Sequence, residues 1–180
     1  MQNPRYALVA YVTNEVGEFV ENLRRELHPE LPHLPAHITV LPPRTLQGSE
    51  SSALEILEDI CGQLQPFEVG LGEPATFIPT TPTVFIRLQT PETICDLHTR
   101  LSTRGLRADE EWPFVPHLTI AKLTSQELAQ RAYQTARERW AKFHGSKTIK
   151  IQELTFVRES KKDCWEDVAE LPLGSSLVGR

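Results

Sequence analysis

Three cysteines, one methionine and no CxxC pair leave this chain of 180 residues without a disulfide framework or a thiolate metal site. Cys61, Cys95 and Cys164 are odd in number and far apart, and are expected as free, buried thiols in a reducing cytoplasm. No apolar run is long enough to span a bilayer, and no basic stretch with an apolar segment behind it opens the chain, so no membrane contact is expected. The nine glycines form no phosphate-cradling loop, and the serines form no GxSxG elbow. Positive charge is scarce too. Nineteen Lys and Arg face twenty-four Asp and Glu, a net charge of -5. Affinity for long nucleic acid comes largely from Lys and Arg, so a long duplex is a poor partner and a small anionic ligand a better one.

What the chain does have is a short pattern stated twice. Pro35-Ala36-His37-Ile38-Thr39-Val40 and Val115-Pro116-His117-Leu118-Thr119-Ile120 both read His, apolar, Thr, apolar. Side chains of a β-strand alternate between faces, so His37 and Thr39 share one face while Ile38 and Val40 pack behind. His117 and Thr119 repeat this over Leu118 and Ile120. Brought together, two imidazoles and two hydroxyls suit a phosphodiester: titratable nitrogens for proton transfer and hydroxyls for phosphate oxygens. The bland alternative is a pair of strands that each bury one hydrogen-bonded histidine.

Position separates the two readings. Strand-like runs begin 31 residues before His37, at Tyr6, and 33 before His117, at Val84. Others begin 30 residues after His37, at Phe67, and 32 after His117, at Ile149. The spacing predicts an internal duplication in one domain, with lobes over 1–80 and 81–173 and a frayed tail over 174–180. Helices are expected over about 14–27, 49–64, 91–106 and 125–143, and a closing hairpin over 148–157 and 164–171. His28, His33 and His37 lie near one another, but Pro32 and Pro35 exclude the helix that would turn His33 and His37 toward a metal.

The two segments and the order around them resemble the 2H phosphoesterase superfamily, and within it the bacterial 2'-5' RNA ligase and cyclic phosphodiesterase branch. Phe114-Val115-Pro116-His117 is close to that branch's second motif. The resemblance implies an α+β fold: a bilobal pseudo-two-fold duplication, two antiparallel sheets around a central cleft with helices outside. It implies a metal-independent, cofactor-free phosphodiesterase acting on 2',3'-cyclic phosphate nucleotides or RNA ends, with reversible 2'-5' ligation in some members. His37 and His117 become the acid–base pair, by analogy His37 the acid and His117 the base, and Thr39 and Thr119 the phosphate ligands. Phe114, Lys122 and Arg44 are further candidates for substrate contact. Lys122 stands where relatives often carry Arg, but strict alternation turns it off the face of His117 unless a bulge intervenes. Leu41-Pro42-Pro43-Arg44 departs from the Leu-Phe-Leu-Gly that many ligase-branch members carry after the first motif. A monomer in the cytoplasm is expected. A nucleotide-binding module of the same fold without turnover is the alternative.

Overall fold

Asn14, Ser49 and Ser125 each turn a side-chain oxygen onto the free N–H groups of a helix start, which fixes where three of the helices begin. The computed structural model describes residues 3–28 and 35–176. Its strands and helices run in the order β1 (Tyr6–Tyr11), α1 (Glu15–Leu27), β2 (His37–Arg44), α2 (Glu50–Gln63), β3 (Phe67–Thr76) and β4 (Thr83–Leu88). After these come α3 (Glu92–Leu101), β5 (His117–Lys122), α4 (Gln126–Ala141), β6 (Thr148–Ile151), β7 (Glu153–Lys161) and β8 (Cys164–Pro172). None of the described helices is long and apolar enough to cross a membrane.

The fold is α+β. Its strands form one eight-stranded antiparallel sheet in the order β6-β3-β4-β5-β2-β1-β7-β8. The two sheets expected from the resemblance are the halves of this one, joined where β2 meets β5 at Ile38 and Leu118. Outward from that seam both halves read alike: the histidine strand, the strand that opens the half, then a strand that the other half of the sequence supplies (β7 beside β1, β3 beside β4). β6 lies at one edge and β7 is seventh in order, yet only Gln152 separates them in sequence. One residue spans at most about 7 Å between its neighbours, so the sheet must curl until its ends approach.

The two faces bury different residues. Leu8, Ala10, Ile38, Val40, Leu118, Ile120 and Ala121 belong to the main core, on the side that carries the helices. Ala7, Val9 and Val157 form a small separate cluster with Tyr11 and Trp165 on the other side. The run from Tyr6 to Tyr11 is apolar throughout because both of its faces are covered. The helices cross the seam: α1, from the first half, packs on β5, and α3, from the second, packs on β2.

Several boundaries differ from expectation, each for a visible reason. The third helix stops at Leu101, and a turn of 3-10 helix with Arg104 at positive φ replaces its last stretch. The second histidine strand begins only at His117, since Pro113 and Pro116 have no N–H for a ladder. The strand expected over 148–157 is two, because β6 pairs with β3 and β7 with β1. Of the expected tail, Gly174 and Ser176 donate backbone bonds to the carbonyls of Cys61 and Gly62, docking it on the end of α2. Residues 177–180 lie outside the described set, as does His33. The cysteines are all free, but only Cys61 is buried; Cys164 is exposed.

Candidate active site

Ile38 pairs with Leu118 across the seam. Extending that antiparallel register by one residue each way sets His37 opposite Thr119 and Thr39 opposite His117. The flanking ladders complete two rows across four strands. Tyr11 pairs with His37, and Phe85 with Thr119; Val9 pairs with Thr39, and Arg87 with His117. The rows are therefore Tyr11–His37–Thr119–Phe85 and Val9–Thr39–His117–Arg87. Directly opposed residues have Cβ atoms about 4.5–5.5 Å apart, so the two histidines and two threonines make a compact square. All four are half-buried, while Ile38, Val40, Leu118 and Ile120 between them are buried on the helix side.

Both imidazoles are pinned in the same way. His37 Nδ1–H donates to the Pro35 carbonyl at 2.8 Å, and His117 Nδ1–H donates to the Val115 carbonyl at 2.7 Å. A carbonyl only accepts, so Nδ1 keeps its proton in the neutral ring and Nε2 carries the free lone pair. The structure thus leaves each Nε2 available to accept a proton or, once charged, to donate one. Burial lowers the pKa of both rings from the ordinary histidine value, against the raising effect of the carbonyl bonds. On His37 the positive charges of Arg24 and Lys122 and the second imidazole lower it further; on His117 only Lys122 adds to burial.

A bulge in each histidine strand follows its threonine. Leu8 and Val9 pair with Leu41 and Thr39, leaving Val40 as the extra residue; Val84 and Phe85 pair with Ala121 and Thr119, leaving Ile120. Beyond a bulge the alternation of faces flips. Lys122, opposite Thr83, thereby joins the face of His117 and Thr119. The matching position of β2 is Pro42, so the lysine has no counterpart in the first half.

The bulge carbonyls are gripped from across the seam. Arg24 of α1 donates Nε to Ile120 O at 2.9 Å and a terminal nitrogen to Thr119 O at 2.8 Å. His98 of α3 donates Nδ1–H to Val40 O at 2.8 Å. Each half's helix therefore holds the other half's histidine strand. On the sequence alone neither His98 nor Arg24 stands out. Their helical positions announce nothing; only the crossing of the helices reveals them.

Two of the residues expected to contact substrate have partners within the protein. Arg44 is buried, with its guanidinium committed to Pro42 O, Leu106 O and Glu110 Oε1 at 2.9, 2.8 and 2.6 Å. Those bonds tie the 106–110 loop to β2. Phe114 stacks flat on His98, ring centres 3.7 Å apart, so it props the segment before Pro116. The aromatic partners of His117 are instead Phe77 and Phe85, at 4.9 and 5.1 Å. On the first half Tyr11 lies edge-on to His37 and donates its hydroxyl to Asp167.

The chain is similar to known proteins over most of its length. A protein of Oceanobacillus iheyensis named "Putative phosphoesterase" is 26% identical over 121 residues, 66% of this chain and 70% of its own. A protein of the same name from Bacillus cytotoxicus is 23% identical over 87% of this chain and 91% of its own. Among solved structures, TT0787 of Thermus thermophilus superposes with a TM-score of 0.66 at 16% identity, covering 94% of this chain and 98% of that one. LigT of E. coli superposes with a TM-score of 0.61 at 15% identity, covering 96% and 99%. Residues 12–163 match the 2'-5' RNA ligase superfamily, which spans both histidine strands, and the chain belongs to that family.

Proposed function

We propose that this chain is a metal-independent phosphodiesterase that opens 2',3'-cyclic phosphates on nucleotides or RNA ends, using His37 and His117 as its proton-transfer pair. The square of two pinned imidazoles and two hydroxyls carries the reading. Phosphoesterase names among the relatives support it, as do LigT structures with 3'-AMP, ATP and NADP+. In the reaction, Thr39 and Thr119 hold the non-bridging oxygens and Lys122 offsets their charge. Water attacks phosphorus in line, giving its proton to one Nε2, while the other Nε2–H protonates the ribose oxygen as its bond to phosphorus breaks. With an RNA 5'-hydroxyl in place of water, the same two transfers form a 2'-5' linkage.

The surrounding charges support a direction opposite to the order that resemblance implies. His37 faces Arg24 and Lys122, His117 faces Lys122. Fewer positive charges face His117, and on that ground we take His117 as the acid and His37 as the base. A monomer in the cytoplasm fits this reading; the edge strand β8 carries Glu166, Asp167 and Glu170, which discourage pairing with another sheet.

The test is turnover of adenosine 2',3'-cyclic phosphate by the purified protein in the presence of EDTA. Ring-opened adenosine monophosphate is the expected product, lost in His37→Ala and His117→Ala. Nucleotide binding with no turnover would instead make the chain a binding module. Activity that disappears on chelation and returns with a divalent ion would overturn the metal-independent chemistry.

A further inference from the structure

The square is symmetric, but what flanks it is not. Beside His37 stands Tyr11, whose hydroxyl is bound to the carboxylate of Asp167. The matching place beside His117 is Arg87, the cross-strand partner of His117 on β4. Arg87 is exposed, and it has no hydrogen bond, ion pair or ring contact among the described residues. Paired residues of an antiparallel ladder share a face, with Cα atoms about 4.5–5.5 Å apart. Phe85, two residues away on β4, touches the His117 ring, so β4 turns this face to the site. The neighbouring strand keeps the space open. A Cβ at Gly72 would lie 3.5 Å from Arg87 Cβ, and glycine leaves that side of the arginine uncovered. Lys122 and Arg87 both belong to the second half, so one side of the site is cationic while the other presents a tyrosine and a carboxylate.

In-line attack gives that asymmetry a meaning. Water enters beside the base and the ribose oxygen leaves beside the acid. With His117 as acid, the ribose and everything attached to it lie on the Arg87 side. We propose that Arg87 binds a second phosphate, on the 5' side of the nucleotide whose 2',3'-phosphate lies over the histidines. The preferred substrate class is then a cyclic-phosphate nucleotide or RNA end carrying a 5'-phosphate or 5'-phosphodiester, not a bare nucleoside cyclic phosphate. This rests on the proposed cyclic-phosphate chemistry and adds a specificity determinant to it.

The experiment compares kcat/KM on adenosine 2',3'-cyclic phosphate, its 5'-phosphorylated form, and ApA ending in a 2',3'-cyclic phosphate. A charge-assisted contact predicts that the wild-type protein favours at least one of the latter two by about tenfold or more. The monoester's gain and the dinucleotide's gain tell a terminal phosphate from an internal one. Arg87→Gln brings the ratio to about one and Arg87→Glu inverts it; because each ratio is taken within one variant, any general loss cancels. Arg87→Lys retains part of the preference, since lysine offers charge without the fork. A wild-type ratio near one, or an Arg87→Gln protein with the wild-type ratio, overturns the proposal. Calorimetry with adenosine 3'-phosphate and adenosine 3',5'-bisphosphate reads the same preference without turnover. A protein that binds the bisphosphate more tightly through Arg87 but hydrolyses nothing would sink the enzymatic reading and leave the phosphate site standing.

Discussion

Arg24→Met tests whether the two halves are held in register from outside the cleft. Arg24 is buried on α1 and spends two donors on the carbonyls of Thr119 and Ile120, where the bulge has taken β5 out of its ladder with β4. Methionine keeps the helix and much of the volume but strands both carbonyls in an apolar interface. Hydrogen bonds from charged donors contribute about 1.5–3 kcal/mol each, and a new thioether contact offsets part of that, so a net loss of about 3 kcal/mol is expected. For a domain of this size such a loss lowers Tm by about 6–12 °C. Two further readouts separate this role from simple packing. Arg24 lowers the His37 pKa, so its removal moves the His37 limb of the pH–rate profile to higher pH. Arg24→Lys retains the charge but not the fork, so it restores the pH limb while recovering only part of the stability. Arg25→Met is the matched control, being exposed on the same helix and bonded through its side chain to Asn22. An Arg24→Met protein with unchanged Tm and an unchanged pH profile would refute the clamp.

Thr39→Val and Thr119→Val keep the β-branch and remove the hydroxyl, so each is expected to cut kcat/KM several-fold with Tm little changed; full activity in the double variant would reduce both to strand formers. Lys122→Met is expected to lower kcat/KM on cyclic phosphate by about tenfold and to raise both histidine pKa values, visible as a shift of both limbs of the pH profile to higher pH. A nitrophenyl phosphodiester, whose leaving group needs no proton, should rescue His117→Ala more than His37→Ala; rescue of His37→Ala alone would restore the opposite assignment. Folded His37 and His117 bind protons less readily than the unfolded chain, so their contribution to stability is present above about pH 6.5 and is lost as pH falls below it. Urea denaturation at pH 8 and pH 5.5 should show that loss, and a His37→Gln, His117→Gln double variant should lose less.

The square was legible in the sequence because it is built from local repetition. His-apolar-Thr-apolar fixes which side chains share a face whatever the strand later meets, and the equal offsets around His37 and His117 locate the partner strands. From the seam outward each half runs histidine strand, opening strand, then a strand from the other half of the sequence. What surrounds the square depends on pairings between distant segments. Lys122 reaches the site face only because β4 and β5 slip by one residue at Ile120, a slip no alternation rule announces. Arg44 looked like a free cation after a motif, yet Leu106 and Glu110, some sixty residues on, absorb its donors. Arg87 sat in a plain strand pattern, Val84-Phe85-Ile86-Arg87-Leu88, where an arginine reads as a solvent-facing position between apolar neighbours. It acquires chemical meaning only from the register that sets it against His117. The sequence pattern therefore names the side chains that make up the square, whereas the ladders decide what lies beside them. If the duplication once made both halves equivalent, specificity had to arise by breaking that equivalence at the flanks, and Tyr11 against Arg87, Val9 against Phe85 and Pro42 against Lys122 are places where it is broken.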